Sequence, residues 1–167
     1  MLLFKPIKPK KLFDSTIITD ALEKECEAIA NDILLDYELT TSTWEHQVAF
    51  QKLTQVGPDG ITILVDTDDK IWKYVDLGTK PHMIRPKGNW SLRFKSGYKA
   101  KTTPGIIPAH KGGSSGKDVY RKWVKHPGTK ARNFDKVITK LWKPKFTKRL
   151  ETVLKNSVKR TGYSIQA

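Results

Sequence analysis

Apolar residues recur at steps of three and four near the start of the chain. The residues with this spacing are Leu22, Cys26, Ile29, Ile33 and Tyr37. Such spacing places side chains on one face of a helix, and acidic residues occupy the other faces. Asp14 or Ser15 can cap the first turn. We therefore predict a helix over residues 15–38, with Cys26 packed in the core as a thiol.

A β-hairpin is predicted after this helix. Residues 43–56 carry apolar side chains that alternate only loosely, and residues 61–65 are apolar and rich in β-branched side chains. Gly57-Pro58-Asp59-Gly60 lies between them and is a typical turn sequence. A short helix should follow, capped by Asp68-Asp69 and ended by Gly78.

The composition of the sequence changes after Gly78. Short strands are predicted at residues 82–85, 90–94 and 119–124. Between them, residues 95–118 are rich in glycine and lysine and have few large apolar side chains. This composition predicts a long basic loop, and long loops in compact domains are often functional.

The order helix, strands, helix indicates an α+β fold. An apolar stripe over residues 134–158 predicts the last helix, which Pro144 should interrupt or kink. We expect a small, mainly antiparallel sheet with the N-terminal and C-terminal helices packed on it. The 167 residues fit one domain, placed at residues 14–158 with the loop 95–118 inserted. Residues 159–167 are expected to form a C-terminal tail.

Residues 1–13 are predicted to form an extended N-terminal arm. Two Lys-Pro pairs, Lys5-Pro6 and Lys8-Pro9, disfavour a helix there. The arm also carries large apolar side chains that would be costly to leave in water. We expect it to dock on another surface, such as a neighbouring subunit.

The basic charge of the chain is concentrated after residue 77. Residues 1–77 carry 8 Lys and Arg against 14 Asp and Glu, whereas residues 78–133 carry 14 basic residues and a single acid, Asp118. Residues 134–167 add 9 basic and 2 acidic residues, and the net charge is +14. This asymmetry favours a polyanion or an acidic protein as a partner. The alternative is a basic face that contacts only solvent.

Other features narrow the class of protein. Cys26 is the only cysteine, which excludes an intrachain disulfide and suggests a reducing compartment. Residues 1–4 are too short an apolar run for a signal sequence, and no segment approaches the roughly 18 apolar residues of a membrane span. We therefore expect a protein made in a cytoplasm, without a membrane partner.

Catalytic and metal chemistry find little support in the sequence. The four histidines, His46, His82, His110 and His126, lack metal-site spacing, so neither a metal nor a cofactor is predicted. One short motif does match an enzyme: Pro58-Asp59 followed by Asp68-Asp69-Lys70 has the residue types of a Mg²⁺-dependent nuclease site. A turn and a helix cap explain the same residues, so we expect no enzyme, with a nuclease as a minor alternative.

Basic residues alternate with aromatic ones in the predicted loop region and around it, which is typical of nucleic-acid surfaces. The lysines proposed to contact DNA or an acidic partner are Lys95, Lys99, Lys101, Lys111 and Lys117. The alternative is that the aromatic side chains face the core and the lysines face water.

Two segments, residues 72–82 and 126–134, resemble a known family. They read Trp-Lys-Tyr-Val-Asp-Leu-Gly-Thr-Lys-Pro-His and His-Pro-Gly-Thr-Lys-Ala-Arg-Asn-Phe. With the order of elements, they resemble the lambdoid-type tail-component family of long-tailed bacteriophages, over roughly residues 14–154. The motif residues are Tyr74, Asp76, Gly78, Thr79, His82, His126, Pro127, Gly128, Thr129 and Phe134.

The resemblance implies a structural virion protein at the head–tail junction, made in the host bacterial cytoplasm. It implies a ring of identical subunits, usually sixfold, that contacts neighbouring neck, connector or tail-tube proteins, with non-specific contact to genomic DNA as a further expectation. Tail completion, tail termination and head closure all fit it. A cytoplasmic, sequence-independent DNA-binding protein is the alternative function. The residues themselves suggest turns, with Gly78 and Gly128 at tight backbone positions.

Overall fold

A computed structural model describes the chain over residues 15–57, 59–88 and 90–161. The predicted N-terminal arm at residues 1–13 lies outside the described residues. The predicted C-terminal tail is described only as far as residue 161, where the last helix ends.

Two long helices run antiparallel and form one layer of the fold. Helix α1 spans Ser15–Thr41 and helix α3 spans Phe134–Arg160. Arg149 of α3 bonds to Glu25 and Asp32 of α1, at 2.5 and 2.6 Å. Pro144 does not interrupt α3, because a proline removes one main-chain donor while the bonds on either side remain. No helix among the described residues is long and apolar enough to cross a membrane.

The core lies where α1 and α3 meet a short helix that comes between them in the chain. Helix α2, Lys70–Leu77, places the buried Trp72 beside Tyr37, Phe134 and Ile138. The ring centroids of Tyr37 and Trp72 lie 5.8 Å apart, and those of Trp72 and Phe134 lie 6.1 Å apart. The buried Trp72 indole N–H donates to the Thr40 hydroxyl at 3.0 Å. Cys26 is a buried free thiol, as predicted.

The predicted hairpin is present, but its first strand starts later than expected. Strand β1, Gln51–Gly57, pairs antiparallel with β2, Gly60–Asp66. Residues 43–50, predicted as the start of the strand, are irregular. Their apolar side chains Trp44, Val48 and Phe50 all pack against the core. Because they do so without the alternation of a strand, the sequence showed only a loose period.

Helix α2 begins and ends as its sequence predicts. The Asp69 carboxylate accepts the Trp72 backbone N–H at 2.7 Å and caps the first turn. Gly78 follows the last turn with a φ of 77°.

Two further antiparallel pairs follow α2. Strand β3, His82–Ile84, pairs with β6, Val124–His126, and β4, Leu92–Lys99, pairs with β5, Gly113–Arg121. The predicted long loop at 95–118 is shorter in the structure, because residues 95–99 belong to β4, residues 113–118 belong to β5, and residues 100–112 connect the two strands. The predicted strand at 119–124 is also divided, between β5 and β6.

The α+β class with its N-terminal and C-terminal helices is confirmed. The β structure consists of three two-stranded antiparallel sheets among the described residues.

Candidate nucleic-acid interface

The two segments that carry the family resemblance lie side by side. The Thr79 backbone N–H donates to the Thr129 carbonyl at 2.9 Å, and the Thr129 N–H donates to the Thr79 carbonyl and hydroxyl at 3.2 and 2.9 Å. This bridge is the root of a β-ribbon made of β3, β4, β5 and β6. We call residues 79–88 and 90–129 the basic ribbon.

Two glycines make the close approach at the root possible. Gly128 has a φ of 88°, and a Cβ there would lie 2.2 Å from the Thr79 carbonyl oxygen. Gly78 has a φ of 77°, and a Cβ there would lie 2.6 Å from the Thr129 carbonyl oxygen. Each position therefore needs glycine both for its backbone conformation and for space.

Asp76 joins the root to the last helix. Its buried carboxylate accepts the backbone N–H of Phe134, and its carbonyl accepts those of Arg132 and Asn133 at 2.9 and 3.1 Å. Asn133, the N-cap of α3, makes no side-chain cap bond. Burial and the nearby Asp135 raise the pKa of Asp76, opposed by the N–H donors. Asp76 therefore works as a cap supplied from another helix.

His82 and His126 face each other across β3 and β6, with ring centroids 5.0 Å apart. His126 Nδ1 accepts the Gly128 backbone N–H at 3.0 Å, while His82 Nδ1 lies 2.9 Å from the Lys80 carbonyl and can donate to it. In the neutral ring the proton of His126 is then on Nε2. No group of three or more potential metal-binding side chains occurs among the described residues.

The far end of the basic ribbon is tied back to the body of the fold. The Ala109 N–H donates to the Leu39 carbonyl at 2.9 Å, at the end of α1. The Arg132 guanidinium donates to the hydroxyl of the buried Thr102 at 3.0 Å. The basic ribbon is therefore attached to the body of the fold at two places, its root and its 100–112 connection.

Positive charge on the basic ribbon is largely uncompensated. Its sequence holds twelve Lys and Arg residues and one acid, Asp118. Arg93 and Lys95 bind that carboxylate at 2.9 and 3.0 Å and lower its pKa. Helix α3 is basic as well, and of its cations Arg149 is paired with two acids of α1.

The five lysines proposed to contact a polyanion all belong to the basic ribbon, but they are not equivalent. Lys95 is paired with Asp118, and Lys101 lies 3.6 Å from Glu45 and is half-buried. The remaining three, Lys99, Lys111 and Lys117, are exposed and form no ion pair with a described residue. The structure thus places the proposed lysines on β4, on β5 and at the ends of their connection.

Aromatic side chains on the basic ribbon face solvent. Trp90, Tyr98, Tyr120 and Trp123 are 81, 71, 55 and 58 % exposed. The alternative, in which these four rings face the core, is therefore wrong. Of the motif residues, Tyr74 also lies outside the root, exposed on α2. The sequence between residues 90 and 123 shows no regular alternation of aromatic and other apolar residues, so spacing alone did not indicate whether these rings are buried.

The nuclease-like residues do not form a carboxylate pair. Asp69 caps α2 and is bonded to His46 at 2.5 Å, while Asp68 is fully exposed. Asp59 lies in the turn between β1 and β2, and Pro58 is outside the described residues. The structure therefore uses these residues as a turn and a helix cap.

Comparison of the chain with models of known protein families, with curated proteins and with solved structures finds no match.

Proposed function

We propose that this chain is a structural, self-associating protein that acts by shape and charge and not by catalysis. More particularly, we propose a tail-completion or neck protein of a long-tailed bacteriophage, located in the virion at the head–tail junction. There it would form a ring of six identical subunits that contacts connector, neck or tail-tube proteins.

One observation carries this proposal. The two segments that resemble the tail-component family are distant in sequence, yet Thr79 and Thr129 pair directly and Asp76 caps the helix that starts at Phe134. The resemblance therefore concerns one connected structural unit. That unit supports an exposed, positively charged ribbon.

The charge suggests how the protein would act in the particle. Twelve cations with one acid repel one another unless negative charge lies nearby. At a head–tail junction, DNA in the channel and acidic surfaces of neighbouring rings can both supply that charge. Contact with duplex DNA through phosphates alone would be independent of sequence and would let the genome pass.

A cytoplasmic, sequence-independent DNA-binding protein is the second candidate. The uncompensated charge and the exposed aromatic rings of the basic ribbon favour it equally. The two functions differ in where the protein resides.

Mass spectrometry of purified virions, combined with electron microscopy of particles made without this gene product, distinguishes them. We expect the protein in virions, and unjoined heads and tails when it is missing. Its absence from purified virions, or normal joining without it, would contradict the proposal.

A further inference from the structure

The basic ribbon changes direction between its two strand pairs. The register of β4 and β5 pairs Leu92 with Arg121, and that of β3 and β6 pairs Ile84 with Val124. The two registers differ by five residues, because the chain between β3 and β4 is longer than the chain between β5 and β6. We call residues 85–88, 90–91 and 122–123 the elbow.

A concave site lies beside the elbow. It has a volume of about 380 Å³ and is lined by Phe94, Arg121, Lys122, Trp123, Val124 and Lys125. Trp123 and Phe94 are both exposed, and Trp90 is the most exposed large apolar side chain among the described residues. The rings of Trp90, Trp123 and Phe94 contact no other aromatic ring among those residues, and all three are exposed to solvent.

Cations surround these rings. Five of them lie in or next to the elbow: Arg85, Lys87, Arg121, Lys122 and Lys125. All five are exposed, and none forms an ion pair with a described residue. Asp118, the one acid of the basic ribbon, is three residues away from Arg121 and is held by Arg93 and Lys95. The elbow therefore combines exposed aromatic rings with exposed cations that no described residue pairs.

This combination distinguishes between possible ligands. The centre of a protein–protein interface is depleted in lysine, so a ring site bordered by several free lysines fits a protein partner poorly. A nucleic-acid duplex offers phosphates but hides the faces of its bases by stacking. Single-stranded nucleic acid offers both phosphates and free base faces, and aromatic rings with flanking cations are the usual means of binding it.

We propose that the elbow is a binding site for single-stranded nucleic acid, with bases stacked on Trp123, Phe94 and Trp90 and phosphates held by the surrounding cations. The site would be sequence-tolerant, because every base has a face that can stack. This inference does not depend on the proposed place of the protein in a virion, and either can fail without the other.

The test measures fluorescence anisotropy of labelled oligothymidylate of about 16 nucleotides, a length within the site sizes of known single-strand binders. The comparison ligands are an abasic phosphodiester of the same length, a duplex of the same length and oligouridylate. We expect oligothymidylate and oligouridylate to bind alike and about tenfold more tightly than the abasic chain or the duplex. Equal binding of the abasic chain would overturn the proposal, as would a preference for the duplex or for RNA alone.

Variants assign the binding to the elbow. Trp90→Ala with Trp123→Ala should weaken oligothymidylate binding about tenfold and leave the weak duplex binding unchanged. Trp90→Phe with Trp123→Phe should restore it, because a smaller ring can still stack. Leu53→Ala with Leu64→Ala, an exposed pair on the other hairpin, is the matched control and should bind like wild type. Unchanged binding by the double alanine variant would overturn the proposal.

Discussion

The Asp76 carboxylate accepts the backbone N–H of Phe134 and so caps a helix that begins 58 residues later in the chain. The first N–H groups of a helix have no partner within it and are usually satisfied by the residue just before the helix. Here the preceding residue, Asn133, has a φ of 55° and its side chain does not reach them. Asp76 replaces it and at the same time fixes α2 against α3.

Replacing Asp76 with alanine should therefore destabilise the fold. The Phe134 N–H would be left buried without an acceptor, at a cost of about 1–3 kcal/mol. Asp76→Asn keeps an acceptor and should cost clearly less. Because burial raises the pKa of Asp76, the native state binds its proton more tightly than the unfolded state, so wild type should gain stability relative to Asp76→Asn as pH falls toward about 4. Urea unfolding at several pH values measures this, and equal losses for the two variants would contradict it.

Asp69 should show the opposite pH dependence. The Trp72 N–H and then His46 lower the pKa of Asp69 in the folded state. The stabilisation that Asp69 gives the fold is therefore complete above the unfolded pKa of about 3.9, and it is lost as pH falls through the lower folded pKa. Asp69→Ala should cost about 1 kcal/mol at pH 7, as other helix caps do, and much less at the acid end. Asp68→Ala is the control, since its side chain is fully exposed. The same unfolding series tests both, and a loss for Asp68→Ala as large as for Asp69→Ala would argue against the cap.

The glycine at the root of the basic ribbon should not tolerate a side chain. Gly128→Ala meets the Thr79 carbonyl oxygen and also a positive φ, whereas Gly105, with a φ of 73°, has open space around its missing Cβ. Gly105→Ala should therefore lose only the conformational part, about 1 kcal/mol, and Gly128→Ala considerably more. Thermal unfolding of the two variants compares them directly. Similar melting temperatures would mean that the close approach at the root is not needed.

The sequence predicted those parts of the fold in which side chains are buried with a regular period. The first helix, Asp69 as a cap and Gly78 as a stop all follow from such patterns, since each is a local effect. Residues 43–50 were predicted wrongly because their apolar side chains reach the core from an irregular backbone. No rule of spacing indicates that an acid in one helix will cap another, so the role of Asp76 required the structure.

The predicted strands at residues 82–85, 90–94 and 119–124 cover part of the basic ribbon, but the continuation of β4 and β5 into the predicted loop was missed for a related reason. The strands of the ribbon bury almost nothing, and Thr102 is its one buried residue among those described. Backbone hydrogen bonds and close glycine and serine contacts hold β4 to β5 near Gly97 and Ser115, and these leave no apolar alternation in the sequence. The charge of the candidate site was evident from the sequence. The pairing of Lys95 with Asp118 and the open faces of the tryptophans were not.

The nuclease alternative and the structural interpretation make opposite predictions for a variant that lacks the nuclease-like side chains. Asp59→Ala with Asp68→Ala and Lys70→Ala should leave function intact, with small stability losses at the turn and beside the cap. Head–tail joining and Mg²⁺-dependent DNA cleavage should both be assayed with wild type and the triple variant. A metal-dependent cleavage that wild type shows and the variant lacks would make the protein an enzyme.

The proposed role of the ribbon charge rests on five lysines, and their neutralisation is the sharpest test of it. Replacing Lys95, Lys99, Lys101, Lys111 and Lys117 with glutamine should impair head–tail joining or genome retention and flatten the salt dependence of DNA binding. The fold should survive, because four of the five side chains are exposed and the two ion pairs, to Asp118 and Glu45, are at the surface.

A matched variant separates the location of charge from its amount. Glutamine at Lys140, Lys143, Lys148, Lys155 and Lys159 removes the same charge from exposed positions of α3. If the position of the charge matters, this variant should assemble normally. Its affinity for DNA should also fall more steeply with salt concentration than that of the ribbon variant, because fewer of the lysines it has lost contacted phosphate. Infectious titre, DNA content of particles and the logarithm of affinity against the logarithm of salt concentration are the measurements. Equal effects of the two variants would show that only net charge counts, and normal assembly of the ribbon variant would remove the ribbon from the head–tail contact.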